Sequence, residues 1–276
     1  KILMKQLIVT ADDFGYSRNV NKAIIKCFKE GIVTSTSLLA NTKYFNESVK
    51  LLKQNRNIDV GVHINLTEFR PLMKAKTLAD KNGNFIGKRE WFRGFYKKTS
   101  KKEIENEINA QVKKAVSTGL KITHINGHNH IHIFPNVIDA AIKLAKKYKI
   151  KYIRKPDEEF IVKSQRLSSE IRKRNTLSKF SKQAIGKIIK NGLKTAGAFY
   201  GILDMNGMDF DKLSNIVKSL KNGTSELMVH PAYIDGNEDI FHQSRQRENE
   251  IKLLADKKII RAIKKLKINL TNFSQL

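Results

Sequence analysis

Residues 6–15 read QLIVTADDFG, and this stretch decides the interpretation of the fold. Its first five residues are mostly apolar and partly β-branched, which predicts a buried strand over residues 6–10. The strand ends abruptly before Asp12 and Asp13, so polar side chains lie at its carboxyl end. Apolar residues then recur at helical spacing up to a glycine stop signal, which predicts a helix over residues 19–29.

The alternation of strand and helix continues along the chain. Further strands are predicted over residues 33–39, 58–64, 122–126, 151–154, 197–201 and 226–229 and near Ile268, with helices over residues 47–54, 101–116, 136–148, 209–220 and 247–257. Strands that alternate with helices form parallel βαβ units. About seven or eight such units in 276 residues predict one α/β domain over residues 1–276, a closed or partly closed (β/α) barrel.

Two long segments interrupt this rhythm. The first, around residues 68–100, contains an aromatic group, and the second, around residues 157–194, is strongly basic. Insertions that follow barrel strands lie on the catalytic face, so both segments could be lids or substrate walls. They could equally be helical additions that cover apolar surface or form a subunit contact.

The charge of the chain raises the question of a polyanionic partner. Its 53 basic and 26 acidic residues give a formal net charge of +27, which is typical of proteins that bind nucleic acid or membrane surfaces. The lysines are spread almost everywhere and lack interleaved aromatic residues, so a generally basic surface is the better interpretation. We therefore expect no specific nucleic-acid partner.

Cysteine content and hydropathy narrow the class further. The single cysteine, Cys27, excludes an internal disulfide and a cysteine-rich zinc site. Its place in an amphipathic stretch indicates a buried core residue. No apolar run approaches the roughly 20 residues that cross a bilayer, so the expectation is a cytoplasmic protein without a membrane partner.

The polar residues that could carry chemistry follow predicted strands. Adjacent carboxylates such as Asp12 and Asp13 raise each other's pKa unless they diverge or meet a cation. On an extended backbone they point to opposite sides, so one could bind a metal while the other faces a reacting water. The alternative is that one of them caps the following helix.

Histidines strengthen the metal interpretation. Four of the seven lie within THINGHNHIHIFP, residues 123–135, and imidazoles that share a strand end with carboxylates are ordinary ligands of divalent metals. If extended, His128, His130 and His132 would share one face, and His63 would reach that face from a neighbouring strand. Two histidines and one carboxylate leave open coordination positions, as a catalytic site requires. His230 could protonate a leaving group, or it could only orient a loop.

An ordered set of motifs now carries a resemblance. The chain resembles the YdjC-like family of carbohydrate deacetylases, which includes chitooligosaccharide deacetylase. The matching pieces, in the family's order, are TADDFGYSRNVNKAI, GIVTSTSLLAN, GVHINLTE, THINGHNHIHIFPN, YIRKP, MVHPAYID and RENEIKLL. A single piece is a weak signal, but this set covers most of the chain.

The resemblance implies a distorted, TIM-like (β/α) barrel and hydrolysis of N-acetyl groups from an amino-sugar oligosaccharide. It implies one divalent metal, Mg²⁺ or Zn²⁺, and a small N-acetylated sugar or oligosaccharide as the partner. Dimerisation is common among such proteins, so a homodimer is expected, although no segment identifies its interface. The family's motif assigns the residues as follows: Asp12 as general base, Asp13, His63 and His128 as metal ligands, His230 as general acid, and Arg154 as a residue that orients the base or substrate.

Three further residues are candidates for substrate contact. His130 and His132 accompany the ligand histidine, and Trp91 of the aromatic group would suit stacking against a sugar ring. One departure from the family concerns Asn126 and Gly127, where many members have Asp and Ser. An amide then replaces a carboxylate beside the ligand, which bears on how the imidazole is held and tuned.

Two alternatives to deacetylation remain open. The first is another metal-dependent hydrolase on the same barrel, acting on a different amide or a phosphoester, because a fold does not fix a substrate. The second is a non-catalytic basic module that binds a polyanion through its lysine surface. The histidine cluster argues against the second.

Overall fold

The computed structural model describes residues 4–158, 168–205, 207–234, 236 and 241–276. Eight strands occur in this part of the chain: β1 (Lys5–Phe14), β2 (Ser35–Leu38), β3 (Asp59–Ile64), β4 (Ile122–Gly127), β5 (Tyr152–Ile153), β6 (Ala198–Tyr200), β7 (Gly223–Val229) and β8 (Asn269–Leu270). The helices are α1 (Arg18–Glu30), α2 (Phe45–Gln54), α3 (Lys88–Phe92), α4 (Lys101–Val116), α5 (Val137–Lys147), α6 (Ser168–Lys190), α7 (Phe210–Ser219), α8 (Arg245–Leu254) and α9 (Lys257–Lys265).

The strands form one parallel sheet in the order β5-β4-β3-β2-β1-β7-β6. Strand β8 pairs with the first half of β1, at Gln6 and Leu7, whereas β2 pairs with β1 only from Thr10 onward. Two isolated parallel bridges, Tyr152 with Lys194 and Glu158 with Phe199, connect the two ends of the strand order. The sheet is therefore curled into the distorted (β/α) barrel that the sequence predicts.

Apolar residues between the sheet and its outer helices form the core. One cluster lies around β1 with the helices α1, α7, α8 and α9, and a second lies around β3 and β4 with the helices α4 and α5. Side chains of successive residues in a strand alternate between the two faces. The barrel interior can therefore be polar while the outer face is apolar.

Local signals set the ends of several helices. Ser17 accepts a hydrogen bond from Val20 N at the start of α1, and Ser100 accepts one from Glu103 N at the start of α4. Such caps satisfy backbone N–H groups that have no partner within the helix. The cap of α1 fixes the chain four residues after Asp13, the second aspartate of β1.

The insertion around residues 68–100 is held against α4 by two buried or partly buried glutamates. Glu107 accepts hydrogen bonds from the backbone N–H groups of Leu72 and Met73, at 3.0 and 2.8 Å. Glu103, one helical turn earlier, accepts from the N–H groups of Lys76 and Thr77. Long-range contacts with a helix thus give this segment its shape.

The structure differs from the predicted elements in several places, among them β1, which continues through both aspartates to Phe14, and the first insertion, which contains α3. The basic segment contains the long helix α6, for which the sequence predicted no element, while residues 159–167 of the segment lie outside the described part. The helix predicted over residues 247–257 is two helices, because Asp256 caps α9 through a hydrogen bond from Lys258 N. Among the described helices, none is long and apolar enough to cross a membrane.

Candidate active site

A cavity at the carboxyl ends of the strands contains most of the predicted site residues. Its lining includes residues at the carboxyl ends of β1, β3, β4 and β7 or just after them: Asp12, Asp13, His63, Gly127, His128, Asn129, His130, Met228 and His230. Residues from the longer segments complete it: Glu68, Lys88, Lys173, Met205, Phe241 and His242. The carboxyl ends of parallel strands are where a barrel places its active site.

Both aspartates face this cavity, although they are neighbours on one strand. Asp13 has a φ of 67°, in the left-handed region that Asp and Asn tolerate better than most residues. The register between β1 and β2 also shifts between Ala11 and Phe14. The expectation that Asp12 and Asp13 point to opposite sides is therefore wrong, because the backbone leaves the extended conformation at Asp13.

Asp13 lies at the centre of a group of possible metal ligands. Its Oδ1 atom is 3.1 Å from His63 Nε2 and 2.7 Å from His128 Nδ1. One ligand atom from each of these residues lies within 4.8 Å of the others, and all three residues are buried. The structure thus brings together the three residues that the sequence predicted as metal ligands.

Asn126 and Ser37 fix the ring of His63 from the opposite side. The Nδ1 atom of His63 is 2.7 Å from Asn126 Oδ1 and 3.0 Å from Ser37 Oγ. Because the amide oxygen can only accept, this contact requires a hydrogen on Nδ1, which leaves Nε2 as the ring nitrogen that faces Asp13 and could bind a cation. The side-chain nitrogen of Asn126 donates to Asp12 Oδ1 at 3.2 Å. The amide thus connects the metal ligand His63 with the predicted base.

A carboxylate from the first insertion approaches the second histidine. His128 Nε2 is 3.0 Å from Glu68 Oε1, on the side of the ring opposite Asp13. Burial tends to lower the pKa of His128, but the charges of Asp13 and Glu68 outweigh it and raise that pKa to about 10. The ring therefore lies in an anionic environment that favours a bound cation.

Asp12 is held in its charged form by a buried arginine. Arg154 donates from both terminal nitrogens to the two oxygens of Asp12, and its Nε donates to Glu226 Oε1 at 2.9 Å. Burial tends to raise the pKa of Asp12, but the attraction of Arg154 and His63 outweighs it and lowers the pKa to about 2. Arg154 does not line the cavity itself, so it contacts Asp12 from behind.

His230 follows β7 and lines the same cavity. Its backbone N–H donates to Glu250 Oε2 at 2.7 Å, and its ring lies edge to face against Phe241. Burial lowers the pKa of its imidazole to about 3, against the attraction of Asp13 and Asp12. In the resting site the imidazole is therefore neutral.

The histidines after β4 do not share one face. Residues 128–133 form a short 3-10 turn in which Asn129 and His130 have left-handed backbones, with φ of 54° and 58°. As a result His130 lines the cavity, whereas His132 Nε2 contacts Arg154 O at 3.1 Å behind it. The condition under which the three rings would share one face, an extended segment, is therefore not met, because two left-handed residues turn the chain here.

Two other residues that the sequence singled out lie away from the cavity. His124 stacks on Phe273 deeper in the barrel, with a centroid distance of 4.2 Å. Trp91 is fully buried, and its indole N–H donates to Leu66 O at 2.9 Å. The ring of Trp91 also packs edge to face against Phe134. Trp91 is thus placed as a core residue, and this placement does not support a sugar contact.

Sequence reasoning missed two residues of the site. Glu68 is the last residue of the motif GVHINLTE, but neither a predicted strand end nor a sequence pattern indicated that its side chain faces His128. His242 has no histidine neighbour in sequence and follows no strand, so nothing in the local pattern distinguished it. Its Nε2 atom lies 3.3 Å from Asp13 Oδ2.

The donor set fits a divalent metal ion. Two imidazole nitrogens and one carboxylate oxygen converge, and the opposite nitrogen of each ring meets an oxygen atom of another side chain. Metal-bound histidines generally have such partners. Three protein ligands leave coordination positions for water and substrate, as in catalytic sites.

Comparisons with known proteins identify the family of this chain. A family model described as YdjC-like protein matches residues 6–265. A carbohydrate deacetylase of Thermoanaerobacter pseudethanolicus is 36% identical, over 99% of this chain and 100% of the relative. A carbohydrate deacetylase of Brevibacillus brevis is 32% identical, over 98% and 99% of the two chains.

A solved structure shows the same fold. The crystal structure of an Enterococcus faecalis protein that is proposed to cleave cellobiose phosphate has a TM-score of 0.79 at 24% identity, covering 99% of this chain and 98% of that one. Fold, site and relatives together define a hydrolase on a distorted (β/α) barrel. The chain belongs to the YdjC-like family.

Proposed function

We propose that this enzyme removes N-acetyl groups from an amino-sugar oligosaccharide, chitooligosaccharide-like, in a reaction that depends on one divalent metal, Mg²⁺ or Zn²⁺. The observation that carries the proposal is the convergence of Asp13, His63 and His128 beside a second carboxylate, Asp12. The names of the curated relatives support a sugar as the substrate.

Asp13, His63 and His128 would hold the metal. A divalent cation bound there supplies Lewis-acid polarisation of the acetyl carbonyl and activation of the attacking water. The protein contributes the orientation of the ligands: Asn126 and Ser37 hold Nδ1 of His63, so that Nε2 would be the nitrogen that meets the cation. The neighbouring cavity, with His130 on its wall, would receive the sugar.

Asp12 would accept the proton of the attacking water. It lines the cavity beside the ligands, and Arg154 and Ser37 hold its carboxylate in one orientation. Its pKa of about 2 keeps it ionised at neutral pH, so it is a weak but constantly available base. Arg154 would therefore orient the base and not contact the sugar.

His230 would contact the departing nitrogen. Its resting imidazole is neutral, so it must receive a proton during turnover before it can act as general acid. The backbone bond to Glu250 fixes the residue from outside the cavity. That His230 and Asp12 line the same cavity supports their acting as acid and base on one substrate.

Acetate release from a panel of N-acetylglucosamine oligomers tests the proposal. Asp13→Ala and His128→Ala should abolish both Zn²⁺ binding and acetate release, because each removes a ligand. Asp12→Asn should keep Zn²⁺ binding but lower kcat by about 10²- to 10⁴-fold, the usual contribution of a general base. Phosphate release from phosphoesters, measured in parallel, distinguishes a deacetylase from the alternative, a phosphoester hydrolase on the same barrel.

A metal-stripped sample provides the decisive control. Removal of the metal should eliminate acetate release, and added Mg²⁺ or Zn²⁺ should restore it. Full deacetylation by the stripped protein would contradict the metal-dependent mechanism. Phosphate release without acetate release would contradict the substrate class and leave the metal site intact.

A further inference from the structure

We propose that His242 is a positioning residue, which holds Asp13 in the orientation that metal binding needs. This inference rests on the proposed metal site and goes beyond the roles assigned above. His242 is buried, with 1% of its surface exposed, and lines the cavity. Its Nε2 atom lies 3.3 Å from Asp13 Oδ2.

The two oxygens of Asp13 have separate surroundings. Oδ1 faces His63 and His128, at 3.1 and 2.7 Å. Oδ2 faces His242 on the other side. An N–H from His242 to Oδ2 therefore fixes the rotation of the carboxylate and leaves Oδ1 for the cation. Among the described residues, the group that could hold a metal comprises Asp13, His63 and His128 and does not include His242.

The ring of His242 is packed in place by aromatic neighbours. Tyr16, three residues after Asp13, lies against it with a centroid distance of 3.9 Å and an interplanar angle of 31°. Phe241 meets the ring edge to face at 5.1 Å. The rigid rings of Tyr16 and Phe241 restrict the movement of the His242 ring. Its Nε2 atom therefore has little freedom to leave Asp13.

Helix α8 supports this segment from outside the barrel. The guanidinium of Arg247 lies over the ring of Phe241, 4.5 Å from its centroid. Glu250, one turn later, accepts the backbone N–H of His230. Helix α8 therefore fixes two parts of the site: Phe241, which precedes His242, and His230, which follows β7.

Two substitutions separate the hydrogen bond from the packing. His242→Phe keeps an aromatic ring against Tyr16 but has no N–H for Asp13. His242→Gln loses the ring, but its Nε2 can reach the position of the histidine Nε2. Zn²⁺ affinity of each full-length variant is measured by calorimetric titration with a competing chelator, and thermal unfolding of the metal-free proteins checks that they fold.

The expected result is a 10- to 100-fold weaker Zn²⁺ affinity for His242→Phe, with part of the loss recovered in His242→Gln, since outer partners of metal ligands contribute about this much. Wild-type affinity in His242→Phe would overturn the inference, and so would an equal loss in both variants. If His242→Phe does not fold, His242→Leu takes its place with the same criteria. If the wild-type protein binds neither Zn²⁺ nor Mg²⁺, the proposed metal site itself is wrong. A change in affinity that is confined to the variants leaves the metal site intact and tests only the role of His242.

Discussion

Asn126 connects two residues of the candidate site through one amide. Its oxygen accepts from His63 Nδ1, and its nitrogen donates to Asp12. A carboxylate at this position could accept from the histidine but could not donate to Asp12. An amide at this position therefore serves both the predicted metal ligand and the predicted base, because it accepts from one and donates to the other.

Replacement of Asn126 should weaken metal binding through His63. In Asn126→Leu the hydrogen on Nδ1 loses its nearest acceptor, so we expect about 10- to 100-fold weaker Zn²⁺ affinity by calorimetric titration. Asn126→Asp is the matched control, because it keeps an acceptor at the same place and should stay within a few-fold of the wild type. Equal Zn²⁺ affinity in the leucine variant would show that Ser37 alone fixes the ring.

At the scale of elements, the sequence predicted the helices and strands whose apolar residues recur at regular spacing. Helix α4 has the predicted bounds, Lys101–Val116, because its apolar spacing and its serine cap are local signals. The turn after β4 was not predictable, since two left-handed residues depend on the surrounding barrel. The bounds of helix α6 were not predicted either, because a helical addition was only one of two interpretations that the sequence left open for the basic segment.

Glu107 connects helix α4 with the loop that contains Leu72 and Met73, and its replacement should release that loop. Glu107→Ala leaves the N–H groups of Leu72 and Met73 without their acceptor, which should lower the free energy of unfolding by about 1–3 kcal/mol. Urea denaturation measures this loss, and limited proteolysis should cut more quickly within residues 70–78. Glu105→Ala on the exposed side of the same helix is the control. Identical proteolysis of both variants would contradict the anchoring role.

At the scale of the whole molecule, Cys27 reports on global unfolding. The thiol is fully buried on α1, and burial raises its pKa to about 12. A thiol of this kind is largely protonated at pH 8 and shielded from reagents. We therefore expect no reaction of the native protein with a disulfide reagent over minutes, and one equivalent of thiol after denaturation in guanidinium. Rapid labelling of the native protein would show that α1 opens locally.

The location of the candidate site was predictable, but its internal geometry was only partly so. Strand ends in a parallel barrel meet at one edge, so Asp13, His63 and His128 could be expected together. The roles of Glu68 and His242 depend on chain segments that return to the site from loops, and local patterns do not encode such returns. Trp91 illustrates the opposite error, because an aromatic residue in an insertion can as well complete the core.

The left-handed backbone of Asp13 is a strain that the contacts of its carboxylate outweigh. Such a conformation costs a residue with a Cβ about 1 kcal/mol or more, whereas glycine adopts it freely. Asp13→Gly relieves that strain but leaves His63, His128 and His242 without the carboxylate that each contacts, so it should lose Zn²⁺ binding and acetate release and melt below the metal-free parent. The bend is thus tolerated only because the side chain that it presents holds three buried rings together, and a melting temperature equal to the parent's would contradict this.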